Sequence, residues 1–230
     1  MGTQTATKVQ LTRQDPDILR RLGGWLFRHR TSIPLPIVLA LLIIPAPDSP
    51  SVLSTPLSWL GVLVVAAGEG IRLWAVHHIG AISRTRSERL GPLIDGGPFG
   101  RVRNPLYLGN ILIWVGFALS ARLLWLAPVV VILLAFEYHA IVRWEETLLA
   151  VRLGDAYLDY TTRVPRWIPR LGGAQSSAVK DTDSFPRLFS WGETLYSERG
   201  TLIAIAAGYG LLALKAYQSG GRVLAPGLGG

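Results

Sequence analysis

Cysteine is absent from this 230-residue chain, and histidine is nearly so, with only His29, His77, His78 and His139. The first absence excludes disulfides, thiolate metal sites and cysteine nucleophiles. The second leaves too few imidazoles for a membrane di-iron oxygenase, and no HExxH or comparable ligand spacing supports zinc. Charge is sparse as well. Charged residues make up 17% of the chain and hydrophobic ones half of it, so long stretches hold little that demands water. A secretory signal peptide is not expected, because the first apolar run starts near Ile33 behind a long basic segment and no small-residue cleavage pattern follows it.

What is present is a series of apolar runs flanked by arginines, which points to membrane spans rather than soluble domains. The pattern predicts an all-α membrane helical bundle of about five transmembrane helices. Residues 1–30 are polar and basic, with Leu22, Trp25, Leu26 and Phe27 breaking the charges as an interfacial amphipathic turn would. A first span is expected from about Thr31 to Pro45 and a second from Leu57 to Val76. The proline-rich stretch 46–56 separates them. A polar loop, 77–104, leads to a third span near Leu106–Leu119 and a fourth near Leu123–Val142. Only residues 120–122 lie between these two, so they read as a tight helical hairpin. The fourth span is expected to continue as a helix to about Tyr160. Leu171–Ser184 reads as a linker, Phe185–Tyr196 as an interfacial helix, Thr201–Tyr217 as the fifth span and 218–230 as a flexible tail.

The net charge of +8 divides unevenly. Lys and Arg crowd residues 1–30, 77–104 and 143–200, whereas the alternate connections and the tail hold only Arg122 and Arg222. By the positive-inside rule the N-terminus and both long loops face the cytoplasm and the C-terminus lies outside, as expected of an integral protein of a cytoplasmic or inner membrane. Topology thus accounts for the excess charge, and nucleic-acid binding is not expected. Lys215 is placed to snorkel from the end of the last span.

Ionisable residues inside spans are costly, so they mark sites or buried pairs. Glu69 and Arg72 stand three apart on one helical face and read either as a structural ion pair or as site groups. Glu137 and His139 come near the end of span four, where a wetted helix end is the alternative to a role at a site. A denser constellation is Arg103-Asn104-Pro105-Leu106-Tyr107-Leu108-Gly109 together with Glu145-Glu146. Pro105 suits the first turn of a helix, which sets Arg103 and Asn104 where free backbone donors favour an anion. Gly109 leaves room for a ligand or a neighbouring helix. A hairpin of spans three and four would return Glu145 and Glu146 to the same membrane face.

The stretch GPFGRVRNPLYLGN, a helical pair, then EETLLAVRLGDAYLDYTTRVPRWIP resembles the isoprenylcysteine carboxyl methyltransferase family and its phospholipid methyltransferase relatives. Arg103, Pro105, Tyr107 and Gly109 match its first motif. Glu145, Glu146, Leu149, Leu153, Gly154, Tyr157, Tyr160, Val164 and Pro165 match the second, and Arg72-Leu73-Trp74-Ala75 resembles the helix before them. The likeness covers about residues 68–170, making 77–170 the methyltransferase-like core. One position departs: the family's usual histidine is Asn104 here, which keeps hydrogen bonding but cannot titrate.

The resemblance implies methyl transfer from S-adenosyl-L-methionine to a lipid-like acceptor (isoprenoid, prenylated or phospholipid) at the cytoplasmic face. It implies a cofactor site of Arg103, Asn104, Tyr107, Leu108, Gly109, Glu145 and Glu146, with Glu146 and Arg163 catalytic. Arg163, Arg166 and His139 are expected to bind the substrate, and no metal is expected. An arginine suits the cofactor's carboxylate, and glutamates its ammonium or hydroxyls. A sterol-reductase-like NADPH enzyme and a non-catalytic membrane scaffold of the same fold are the competing readings.

Overall fold

A computed structural model describes residues 17–45, 53, 55–80, 93–172 and 188–223, and among them there is no strand. The helices are α1 (Asp17–His29), α2 (Leu35–Ile43), α3 (Pro56–Ile79), α4 (Pro105–Ser120), α5 (Leu126–Leu153), α6 (Asp155–Arg163) and α7 (Trp191–Val223), with a 3₁₀ turn at Gly97–Gly100.

Three helices, α3, α5 and Trp191–Gln218 of α7, are long and apolar enough to cross a membrane, and α4 is a shorter apolar helix. Their outer faces carry Leu63, Ile132, Leu133, Phe136, Ile203 and Leu214, all exposed. Such a surface is far too apolar for water and fits lipid. The interior instead holds Ser58, Glu69, Ser120, Glu137 and Glu198.

The bundle is built on the α3–α4 contact, the most extensive between any two helices. It is glycine-lined from both sides. A Cβ on Gly68 would stand 2.7 Å from the Gly109 carbonyl oxygen, and one on Gly109 would stand 2.7 Å from that of Gly68. Gly61 and Gly116 repeat the pattern nearer the far ends. Small residues let the two backbones touch, the close packing that replaces hydrophobic driving force in lipid.

Several expected boundaries are corrected. The turn at Leu22–Phe27 lies within a full helix, α1, seated on α5: Gly24 faces the Trp144 indole, and the Phe27 and Trp144 rings lie 5.0 Å apart. The first predicted span is interrupted. Residues 30–34 form a turn, and α2 spans only Leu35–Ile43, roughly 14 Å long. Pro34 and Pro36 explain the interruption, since each removes a helical donor. The helix of span four stops at Leu153 rather than Tyr160, because Gly154 takes φ +54°, a left-handed conformation that ends α5 before α6 begins.

Among the described residues 188–196 no interfacial helix stands apart from α7. Residues 185–187 lie outside those described, and 191–196 are the first turns of α7, continuous with the fifth predicted span. That helix also runs to Val223, into the predicted tail. The linker from residue 173 onward lies outside the described residues. Lys215 does not snorkel. Its Nζ donates to the carbonyls of Leu41 and Ile44 and so caps the end of α2.

Candidate functional site

The α4 start, the last turns of α5 and the segment 164–170 meet at one end of the bundle. Backbone bonds set the frame. Arg103 N donates to the Pro165 carbonyl over 2.9 Å and Arg170 N to that of Arg101 over 3.0 Å, lacing the approach to α4 against the chain that leaves α6. Tyr160 Oη donates to the Phe99 carbonyl over 2.8 Å. Tyr157, Tyr160 and Val164 are buried together, with Leu93, Leu149 and Leu153 packed around them. These residues of the second motif are the fastening of the site.

Inside that frame Glu146 receives two arginines. Arg103 Nη1 donates to its Oε1 over 2.7 Å. Arg166 donates from Nε over 2.9 Å and from Nη2 over 2.7 Å, one bond to each carboxylate oxygen. The Glu146 side chain is only 15% exposed, so these charge-assisted bonds are poorly screened. They push the Arg166 guanidinium further above its already high ordinary value. Burial pushes the Tyr157 phenol up to about 12, with the Glu146 charge adding to the effect, and burial raises Tyr160 as well.

Beside this bridge, Tyr107 Oη donates to both carboxylate oxygens of Glu145, each over 3.1 Å. The Tyr107 ring packs at 4.7 Å on that of Tyr138. Asn104 stands before Pro105 without capping α4. Its Nδ2 donates to the Arg166 carbonyl over 3.2 Å and pins the segment that carries Arg166. That bond needs a donor, which asparagine supplies without titrating.

The other expected site residues are distributed differently. Leu108 is half-buried on the first turns of α4. Gly109 serves the helix contact, since a Cβ there would also meet the Arg72 side chain at 2.6 Å. Arg163 is not joined to Glu146. It pairs with Asp159 on its own helix, and its carbonyl accepts from Arg170 Nη1. His139 is exposed, its ring 6.5 Å from that of Trp167, at the rim next to Arg166. The Glu69–Arg72 contact exists at 3.5 Å but is secondary, because Arg72 bonds to Glu198, Asn110 and Thr201.

Two groups were not anticipated. Glu198 lies in a polar segment with no spacing that relates it to Arg72. Arg30 stands over the Phe27 ring at 4.2 Å, within electrostatic range of both Tyr107 and Glu145. Its only sequence signal was membership of a basic N-terminal segment.

No cluster of metal-ligating side chains occurs among the described residues. What the fold defines is a helical integral membrane protein with a two-arginine, two-glutamate cluster closing one end of its α4–α5 pair. Residues 57–156 match the family model described as phospholipid methyltransferase. The chain is 28% identical over 172 residues to the nickel-cobalt-cadmium resistance protein NccN of Alcaligenes xylosoxydans xylosoxydans, covering 72% of this chain and 78% of that protein. It is 29% identical over 174 residues to the cobalt-zinc-cadmium resistance protein CzcN of Cupriavidus metallidurans, covering 73% and 77%. No solved structure matches it.

Proposed function

We propose that this protein is an S-adenosyl-L-methionine-dependent membrane methyltransferase that acts on a lipid-like acceptor at the cytoplasmic face. The observation that carries the reading is the convergence of Arg103, Tyr107, Glu145 and Glu146, from two distant motifs, within a family-matched core. The residues suit the cofactor. Arg103 Nε is buried without a hydrogen-bond partner, a donor ready for a carboxylate or hydroxyl. Glu145 accepts from the Tyr107 hydroxyl and keeps lone pairs for an ammonium or ribose hydroxyl. When bound, S-adenosyl-L-methionine supplies an electrophilic methyl group for in-line transfer to the acceptor.

The protein's own part is alignment. Glu146 fixes Arg103 and Arg166, Asn104 holds the backbone at Arg166, and Tyr107 sets the Glu145 carboxylate. Leu108 adds apolar lining, and Gly109 lets α4 lie close to α3. Of the arginines assigned to the acceptor, Arg166 is the one joined to the site, with His139 at its rim. Arg163 would first have to leave Asp159.

The positive-inside pattern supports a cytoplasmic N-terminus and site, with α3, α4, α5 and α7 as spans and α4–α5 as the hairpin. We count α2, with the turn before it, as what is left of the first predicted span, and α1 as lying at the cytoplasmic end. α1 lies on the site end of α5, and α2 meets α7 at Lys215. The names of the two relatives raise a role in tolerance to nickel, cobalt, zinc or cadmium, which modified membrane lipid would serve at the cell boundary.

The test is transfer of radiolabelled methyl from S-adenosyl-L-methionine into a membrane lipid extract by the purified protein, followed by identification of the labelled product. A labelled lipid, with S-adenosylhomocysteine bound and NADPH not bound, is the expected result. NADPH binding without S-adenosylhomocysteine binding would move the protein to the reductase reading, and binding of neither would favour a scaffold.

A further inference from the structure

We infer that Arg30, in the turn between α1 and α2, binds an anionic group of the acceptor, phosphate or carboxylate, and makes the site selective for acidic head groups. This rests on the reading above that the Glu145–Glu146 end of the bundle is a ligand site.

The other arginines assigned to this end are already engaged. Arg103 and Arg166 share Glu146, Arg163 pairs with Asp159, and Arg170 donates to the Arg163 carbonyl. Arg101 rests over Trp74 of α3 rather than on the α1–α5 side. Arg30 donates no hydrogen bond and enters no ion pair among the described residues, and its Cζ lies over the Phe27 ring. Stacking occupies one face of a guanidinium and leaves the N–H edge free, in the planar fork that matches phosphate and carboxylate oxygens.

Arg30 is also held in place. A Cβ on Gly24 would stand 3.2 Å from Trp144 Nε1, so α1 lies directly on that indole. The Phe27 ring packs on the same indole, one residue before Glu145. The contacts run Arg30–Phe27–Trp144 and end beside the Glu145–Tyr107 pair. Three arginines, Arg30, Arg103 and Arg166, face two glutamates there, and of these three only Arg30 bonds to no carboxylate among the described residues. A site of that balance attracts an anion and disfavours a neutral or cationic head. Arg30 lies outside the segment that matches the family, so the inference comes from the packing of α1 alone.

The experiment measures binding of three short-chain lipids to the full chain in neutral maltoside micelles: dihexanoyl phosphatidate, the succinate monoester of dihexanoylglycerol, and dihexanoylglycerol itself. The wild type should prefer at least one anionic lipid over the neutral one, and which one identifies phosphate or carboxylate as the group taken. Arg30→Gln should weaken that binding by about ten- to hundredfold, the range of a charge-assisted hydrogen bond. Arg30→Lys should recover part of it, and Arg28→Gln, which alters an exposed neighbour, should change nothing. Equal wild-type affinity for all three lipids would overturn the inference. So would an unchanged Arg30→Gln variant, or an equal loss in Arg28→Gln, which would mark a diffuse basic surface. S-adenosylhomocysteine binding is measured alongside and should survive Arg30→Gln. Its absence in the wild type would refute the methyltransferase reading and leave the lipid titration to decide on Arg30.

Discussion

Arg72 of α3 donates from Nε to Glu198 Oε2 of α7 over 3.1 Å, and its Nη2 reaches the same oxygen. Nη1 donates to Asn110 of α4 over 2.6 Å, so one guanidinium ties three helices together. Glu69 adds a second carboxylate at 3.5 Å with no hydrogen bond of its own. Arg72→Ala therefore leaves two buried carboxylates facing each other without a cation. It should cost about 3–5 kcal/mol, the range for removing one partner of a buried pair. Glu198→Ala should cost clearly less, because Glu69 remains to balance Arg72. Thermal unfolding in detergent measures both, and equal losses would show that Glu69 does not compensate.

Glu146 is the common acceptor of Arg103 and Arg166, whose bonds to it span the two motifs. Glu146→Gln keeps the shape but removes the charge that holds both guanidinium groups. We expect S-adenosylhomocysteine affinity to fall by about a hundredfold, since two charge-assisted bonds are weakened together. Glu146→Ala should abolish methyl transfer while the protein still purifies as a folded species. Calorimetry on the two variants checks this, and wild-type affinity in either would remove the site assignment.

Gly109 faces the Gly68 carbonyl and the Arg72 side chain. Gly109→Ala must push α3 from α4 or displace Arg72. An overpacking cost of about 1–3 kcal/mol follows. Gly210→Ala is the control, because a Cβ there meets nothing within 4 Å and should leave the thermal midpoint near that of wild type.

How far such features could be read from the sequence depended on their range. Periodicity and the family spacing located α3, α4 and α5 and anticipated that Arg103, Tyr107, Glu145 and Glu146 would converge. Local rules also found Pro105 at a helix start. What escaped was set by contacts with no sequence period. Arg72 was paired with Glu69 because i,i+3 spacing is visible, whereas Glu198 lies 126 positions away. Arg163 and Arg166 looked equivalent around Val164-Pro165. Only the end of α6 at Arg163 separates them, turning one back to Asp159 and the other in to Glu146. Arg30 reads in the sequence as one cation in a basic segment, and only the seating of α1 on Trp144 sets it beside the site.

Tyr157 offers a test of the fastening beneath the site. Burial, with Glu146 beside it, pushes its phenol up to about 12, against about 10 for an unfolded tyrosine. The folded state thus holds the proton more tightly. Its contribution to stability is fully present below about pH 10 and is lost as pH rises toward about 12, because the unfolded chain gives up the proton first. Each such group steepens the fall by up to about 1.4 kcal/mol per pH unit. Tyr160, also raised by burial, acts in the same direction. Thermal midpoints recorded from about pH 8 to 11.5 should drop more steeply in the wild type than in Tyr157→Phe, which keeps the ring and removes the titrating hydroxyl. Parallel profiles for the two proteins would mean that the Tyr157 hydroxyl meets water freely, and that the cluster with Val164 does not seal the floor of the site.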